Sequence, residues 1–164
     1  MRFALVITLL GAATTVFAQA PTPPAPKTFT SAADVASMIA KARSERKPDQ
    51  ANFIQPLLRV APYTANLEYR VQGVDTTPNV HEHDAELVYV IEGGGTFTLG
   101  GTLRDEKRLN ANNVTGSGIE GGTSRHITKG DFLLVPENTA HGFTETDGAL
   151  VIMSLHVPGG GAAK

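Results

Sequence analysis

The first apolar stretch of the chain lies at its amino terminus and has no periodicity. Arg2 is followed by uncharged apolar or small residues over 3–17, and Ala18-Gln19-Ala20 has the small-x-small pattern of a cleavage site. This order predicts a secretory signal peptide over residues 1–20. A membrane anchor is the alternative, but the run is shorter than the roughly 18 residues of a spanning helix. We therefore expect a periplasmic or secreted protein without a membrane partner after cleavage.

A different pattern follows over residues 21–48. Residues 21–30 begin with closely spaced prolines, which predict a stiff extended linker. Residues 31–48 then predict a helix, since Ser31 and Asp34 have capping-box spacing and the next apolar residues fall on one face. The stripe is thin. It predicts packing on the outside of the following domain, or else a surface that binds a partner or a second copy.

From residue 50 the pattern changes to short strands. Leu67, Tyr69 and Val71 alternate with polar residues, and glycine-rich turns such as Gly93-Gly94-Gly95 punctuate the run. Such a run without a second long helix predicts an all-β sandwich or barrel over residues 50–158, with a flexible tail at 159–164. The stretch 104–123 is the exception and predicts a loop insertion or a long hairpin tip, a kind of segment that is often functional.

The candidate chemistry lies in two of these segments. His81 and His83 are one residue apart, and residues on an extended strand that are two positions apart point to the same side. Glu86 follows closely, and His141 comes after a predicted buried strand and a proline turn. Three imidazoles and a carboxylate are the usual donor set for a first-row divalent metal.

The two segments resemble the motifs of the cupin superfamily. Gly130, Pro136 and His141 match the second motif, in which Asn138 replaces a turn glycine, and asparagine tolerates the left-handed backbone required there. In the first motif the two histidines and the interval from Glu86 to the glycine at 93 match, whereas the gap before Glu86 is one residue short. The terminal asparagine of the second motif is replaced by a glutamate, and the opening glycine of the first is displaced.

The resemblance implies a small antiparallel jelly-roll barrel with a metal inside. It carries the ligand role to His81, His83, Glu86 and His141, with Asp84 as the alternative carboxylate because of the shortened gap. Candidate pocket residues are Tyr89, Phe143 and His156. The last of these shares its strand face with Leu150, Ile152 and Ser154, and the opposite face is more uniformly apolar and predicts core packing.

Composition narrows the chemistry further. There is no cysteine, so iron–sulfur and thiolate sites are excluded, and nitrogen and oxygen donors must hold any ion, whether Fe, Mn, Zn, Ni or Cu. The net charge of −2 without a basic patch argues against nucleic acid as a partner. We expect a metal-dependent enzyme of dioxygenase, isomerase or lyase type that acts on a small oxygen-rich molecule, or a non-catalytic module that binds a small ligand. A homodimer would protect the edge strands of the sheets.

Overall fold

The computed structural model describes residues 24–74 and 77–159 of the 164-residue chain. The predicted signal peptide, the start of the predicted linker and residues 160–164 of the predicted tail lie outside these ranges. In the described part of the linker, Lys27 and Arg59 exchange two backbone hydrogen bonds of 2.9 Å. No helix within the described residues has the length and apolar character needed to cross a bilayer.

The predicted helix is present as α1, which spans Ala32–Glu45. The Ser31 hydroxyl accepts the N–H of Asp34, and the Asp34 carboxylate accepts the N–H of Ser31, so two donors at the helix start are satisfied. Ile39 and Ala42 are buried against the outer face of a sheet. The helix thus covers the domain from outside.

The rest of the described chain contains thirteen strands, which are joined by turns and loops. Their bounds are β1 Asn52–Val60, β2 Tyr63–Val71, β3 Asn79–His81, β4 Asp84–Glu92, β5 Gly94–Leu99, β6 Thr102–Arg104, β7 Lys107–Arg108, β8 Asn113–Thr115, β9 Gly118–Glu120, β10 Thr123–Thr128, β11 Phe132–Val135, β12 His141–Thr146 and β13 Ala149–Pro158. The paired strands are antiparallel.

Two large sheets form the body of the domain. One has the order β1-β2-β13-β4-β11, the other has the order β10-β5-β12-β3-β8-β7, and β6 and β9 form a small third sheet. Buried side chains from the two large sheets, among them Val90, Phe97 and Ile152, pack together in one core. The predicted all-β antiparallel architecture with one helix is therefore confirmed.

The apolar face of β2 is turned outward, toward the helix. Leu67 and Tyr69 pack with Ile39 of α1, whereas the alternating residues Glu68 and Arg70 point into the barrel. The same holds for β13, since its residue Val151 packs in this outer cluster. The prediction that the more uniformly apolar face of β13 packs in a core is thus confirmed, and this core is the one beneath the helix, where an apolar sheet surface is required.

Two irregular segments shape one end of the barrel. Between His81 and Asp84 the chain leaves the six-stranded sheet and enters the five-stranded one through a short bend. The stretch 104–123, predicted as an insertion, contains the short strands β7, β8 and β9. Strand β8 pairs with β3 and places Asn113 directly opposite His81.

Candidate metal centre

Four side chains meet inside the barrel, two from each large sheet. His81 ends β3 and His141 begins β12, which are neighbours in the six-stranded sheet. Glu86 on β4 and His156 on β13 are directly opposite each other in the five-stranded sheet. Because opposite residues of a ladder point to the same side, this register puts the carboxylate and the imidazole on one inner face.

The carboxylate of Glu86 is the centre of this group. Its Oε2 lies 3.0 Å from Nε2 of His141 and 3.6 Å from Nε2 of His81. The ring centroid of His81 is 5.0 Å from that of His141 and 4.6 Å from that of His156. The side chains of Glu86 and His141 are only 8% and 6% exposed, so water contributes little to their polar contacts.

Each of two imidazoles is oriented by an oxygen behind it. Nδ1 of His141 lies 3.0 Å from the carbonyl oxygen of Thr139, and Nδ1 of His81 lies 2.6 Å from Oδ1 of Asn113. These oxygens only accept, so each Nδ1 carries a proton and the neutral ring leaves Nε2 bare. Both bare nitrogens face the carboxylate of Glu86, and lone pairs so close together require a cation between them, either a proton or a metal ion.

The electrostatics of the group agree with this interpretation. Burial alone would raise the pKa of Glu86, but hydrogen bonds from His141 and His81 hold this pKa well below its usual range. Burial alone would lower the pKa of His81, but hydrogen bonds to Glu86 and Asn113 leave it raised. The carboxylate is therefore ionised at neutral pH and favours a positive charge at its neighbours.

The spacing of the donor atoms suits a single small ion. One donor atom each from His81, Glu86 and His156 lie within 4.8 Å of one another. Two ligands at about 2.1 Å from one ion are at most about 4.2 Å apart, so movements of less than an ångström would complete the coordination. His141 is not in this group of three, but its Nε2 lies 3.0 Å from Oε2 of Glu86, which makes it the candidate for a fourth donor. The residues present fit a divalent transition metal.

The turn before His141 links the two motif segments. Asn138, at the position of the expected turn glycine, has a φ of 54° in the left-handed region. Its N–H donates to the carbonyl of His81 over 2.7 Å. The turn thus fixes the end of β3 relative to the start of β12, on which two of the four side chains depend.

The structure does not bring His83 to this group. Residues 82 and 83 form the bend between β3 and β4, and the side chain of His83 is exposed. The expected strand alternation ends at His81, because the chain changes sheets there, so the two histidines do not share one face. Asp84, the alternative carboxylate, begins β4 and is not part of the group of His81, Glu86 and His156.

The three predicted pocket residues lie in different places. Phe143 and His156 line the cavity beside the carboxylate, and His156 is close enough to act as a ligand rather than only as a wall. Tyr89 does not line the cavity, and its ring contacts that of Phe132 at 4.6 Å between centroids. Because Glu86 and alternate residues of β4 point inward, Tyr89 lies on the outer face.

The four side chains open into a cavity of about 230 Å³. Its wall continues into a second polar group, which the sequence did not predict, consisting of Asn52, Glu68 and Arg70. The thin apolar stripe of α1 was the signal that pointed to it, because a helix outside the sheet turns the polar face of β2 inward. A larger cleft of about 590 Å³ is lined by none of the four candidate ligands among the described residues.

Comparison with known proteins supports the fold. No family model matches the chain, and no curated protein matches it. Solved structures do: a Klebsiella pneumoniae protein with a double-stranded β-helix domain is 16% identical, with a TM-score of 0.52 over 70% of this chain and 84% of the other. The protein TT1209 of Thermus thermophilus is 14% identical, with a TM-score of 0.51 over 73% and 93%.

A third match is an iron-containing protein. The FeII form of HppE is 16% identical, with a TM-score of 0.50 over 66% of this chain and 52% of that one, so the match spans about half of HppE. The fold is a cupin-type double-stranded β-helix. At these identities the likeness shows the fold alone, and the candidate site stands on its own geometry.

Proposed function

We propose that this chain is a metal-dependent cupin that acts on a small oxygen-rich molecule in the barrel cavity. The observation that carries the proposal is the pair of oriented imidazoles, His81 and His141, whose bare Nε2 atoms face one ionised carboxylate, Glu86. His156 completes the donor set. A bound divalent ion would supply Lewis acidity or redox capacity, which suits dioxygenase, isomerase or lyase chemistry.

The protein's own residues determine what else the site can do. If all four side chains bound one six-coordinate ion, two positions would be left for ligand oxygens. Asn113 and the Thr139 carbonyl hold the tautomers of the two imidazoles, which fixes the direction of their donor atoms. Phe143 and Leu109 line the same cavity and add apolar surface to its wall.

Elemental analysis tests this proposal directly. Protein purified without added metal is analysed for Fe, Mn, Zn, Ni and Cu, and is then screened for oxygen consumption with catechols, diketones and small acids. About one ion per chain with turnover of one substrate class supports the enzyme. Absence of metal after purification and after reconstitution would contradict it.

A second candidate function is a module that binds a small ligand without turnover. It is favoured by Glu68, the other acidic side chain of the cavity. Its carboxylate already accepts hydrogen bonds from Asn52, Arg70 and Ser154, so it is poorly suited to exchange protons with a substrate. Stoichiometric metal with ligand binding and no turnover in the screen would favour this module.

We also propose that the chain is exported, on the strength of the amino-terminal pattern of residues 1–20. We further propose that the protein forms a homodimer, because β11 is an edge strand and exposes Phe132 and Leu134, which are 66% and 63% accessible. Fractionation of a tagged full-length chain tests export. A monomeric mass in light scattering at micromolar concentration would contradict the dimer.

A further inference from the structure

Two buried polar atoms lack a partner on one wall of the cavity. Among the described residues, buried side-chain atoms without a hydrogen-bond partner are Nε of Arg70 and Oδ1 of Asn52. These two residues are directly opposite each other on β2 and β1, and both line the cavity of the metal centre. Buried polar groups are nearly always paired, so an adjacent unpaired donor and acceptor indicate a ligand that supplies the missing partners.

The surroundings hold both side chains in place. Glu68 accepts a hydrogen bond of 2.6 Å from Nδ2 of Asn52 and another of 2.6 Å from Nη2 of Arg70. Its other oxygen accepts from the hydroxyl of Ser154 at 2.8 Å. The ring of Phe143 lies 4.7 Å from the guanidinium carbon of Arg70. Neither side chain can turn to pair its free atom without breaking one of these contacts, so the wall is preorganised.

The two free atoms select the chemistry of the ligand. Nε–H of Arg70 is a donor on a cation, whose preferred partner is an anionic oxygen such as that of a carboxylate. Oδ1 of Asn52 only accepts, so it requires a donor such as a hydroxyl group. A carboxylate and a hydroxyl on one small molecule satisfy both atoms.

Charge leads to the same class of ligand. Glu68 offsets the charge of Arg70, and a divalent ion held by Glu86 and neutral imidazoles would leave one positive charge in the cavity. An anion neutralises this charge, whereas a neutral sugar or a diketone does not. The volume of about 230 Å³ limits the ligand to a small molecule.

We infer that Arg70 and Asn52 form the recognition site for a small hydroxy acid, whose carboxylate accepts from Arg70 and whose hydroxyl donates to Asn52. This inference rests on the proposed function, because the metal centre supplies the net positive charge of the cavity. It makes Arg70 and Asn52 determinants of specificity that lie outside the metal ligands.

Calorimetry with three probes on protein reconstituted with Co²⁺ tests the inference. Glycerate carries the carboxylate and hydroxyls, propionate only the carboxylate, and glycerol only the hydroxyls. We expect glycerate to bind at least about tenfold more tightly than either of the others. Arg70→Lys keeps a charge but removes Nε, and it is expected to weaken glycerate binding about 10- to 100-fold. Asn52→Leu is expected to weaken glycerate binding and to leave propionate binding unchanged. Arg125→Gln on the exposed side of β10 is the matched control and changes neither.

The visible spectrum of Co²⁺ reports on the metal site separately from glycerate binding. An unchanged spectrum in Arg70→Lys, together with weaker glycerate binding, supports the inference. Equal affinity for the three probes, or unchanged glycerate affinity in both variants, overturns it. If the parent protein takes up no Co²⁺, the proposed metal function fails. The same titrations on the metal-free protein then still test recognition by Arg70 and Asn52. Loss of selectivity for glycerate in the variants supports the inference, and no selectivity in the parent overturns it.

Discussion

Two buried carboxylates face the same cavity, and their partners differ. Glu86 and Glu68 have similar exposures of 6% and 7%. Glu68 accepts hydrogen bonds from an amide, a guanidinium and a hydroxyl, each of which carries its own proton. Glu86 instead faces imidazole nitrogens whose protons lie on the far side of the ring. Groups that carry their own protons satisfy Glu68, whereas Glu86 needs a cation beside it, either a proton on an imidazole or a metal ion.

This difference separates a structural carboxylate from a ligand. Burying a carboxylate is unfavourable unless partners offset its charge, and the Arg70 cation does this for Glu68 within the fold. For Glu86 the offsetting charge must come from a proton on an imidazole or from a metal ion. Burial alone therefore does not identify a metal site, and the proton positions of the neighbouring side chains do.

The largest expected effect is the loss of metal on replacement of His141. The variant His141→Ala removes the nitrogen that lies 3.0 Å from Glu86 and leaves a folded β protein. We expect stoichiometric metal binding to disappear in elemental analysis while the circular dichroism spectrum is kept. His83→Ala is the matched control, since the exposed side chain of His83 is outside the group. Metal loss in His83→Ala but not in His141→Ala would reverse the assignment.

The second prediction exchanges the roles of the two carboxylates. Glu86→Gln is expected to weaken metal binding by at least about 100-fold, the upper end of the loss seen when a residue that only orients a ligand is removed. Glu68→Gln is expected to leave metal binding intact but to lower the free energy of unfolding by about 3 kcal/mol, because Arg70 is left buried without its counter-charge. Metal titration and urea unfolding of both variants distinguish the two effects.

The same pair of measurements includes Asp84 as a control. Asp84→Asn removes the alternative carboxylate at the start of β4 and is expected to change metal affinity little. A greater loss of metal in Asp84→Asn than in Glu86→Gln would mean that Asp84 is the ligand and that the comparison of Glu86 with Glu68 does not describe the metal site.

The third prediction concerns the residue that orients His81. Asn113 comes from β8 in the stretch 104–123, and its Oδ1 holds Nδ1 of His81 at 2.6 Å. Asn113→Leu keeps the size of the side chain but removes this acceptor, and it is expected to weaken metal binding about tenfold. The control is Asn112→Leu, because the side chain of Asn112 makes no hydrogen bond in the described structure. Equal metal affinities in both variants would show that Asn113 does not position His81.

Sequence spacing led to three of the four side chains that meet in the barrel. His81, Glu86 and His141 follow from the motif intervals, because these intervals reflect the lengths of the strands and turns between the residues. His83 was included because strand alternation was assumed to continue, and the change of sheet after His81 interrupts it. His156 was expected only as a wall, since pairing of β13 with β4 decides that it faces Glu86, and strand pairing between distant segments is not written in local periodicity.

The polar wall shows a second limit of pattern analysis. In β2 the apolar and polar residues alternate regularly, and alternation alone does not say which face is inside. The covering helix decides this, and it turns Glu68 and Arg70 toward the cavity. The apolar stripe of α1 and the alternation of β2 together contain the information, whereas either pattern taken alone does not.

The smallest expected effect is a pH dependence that separates the proton from the metal as the cation beside Glu86. Burial lowers the pKa of His81, but hydrogen bonds to Glu86 and Asn113 leave it raised, so its contribution to the stability of the metal-free protein is complete below about pH 6.5 and is lost as the pH rises through the raised value. The pKa of Glu86 is lowered, so its contribution is complete above about pH 4.5 and is lost on acidification. The pair is therefore expected to stabilise the metal-free protein most between about pH 4.5 and about pH 6.5.

The metal-loaded protein is expected to behave differently, because a bound metal must displace the proton. Metal uptake therefore decreases as the pH falls through the raised pKa of His81, and the metal-loaded protein is expected to be most stable above this pKa. Urea unfolding of both forms across this range measures the difference, and superimposable pH profiles would show that no cation is exchanged at Glu86.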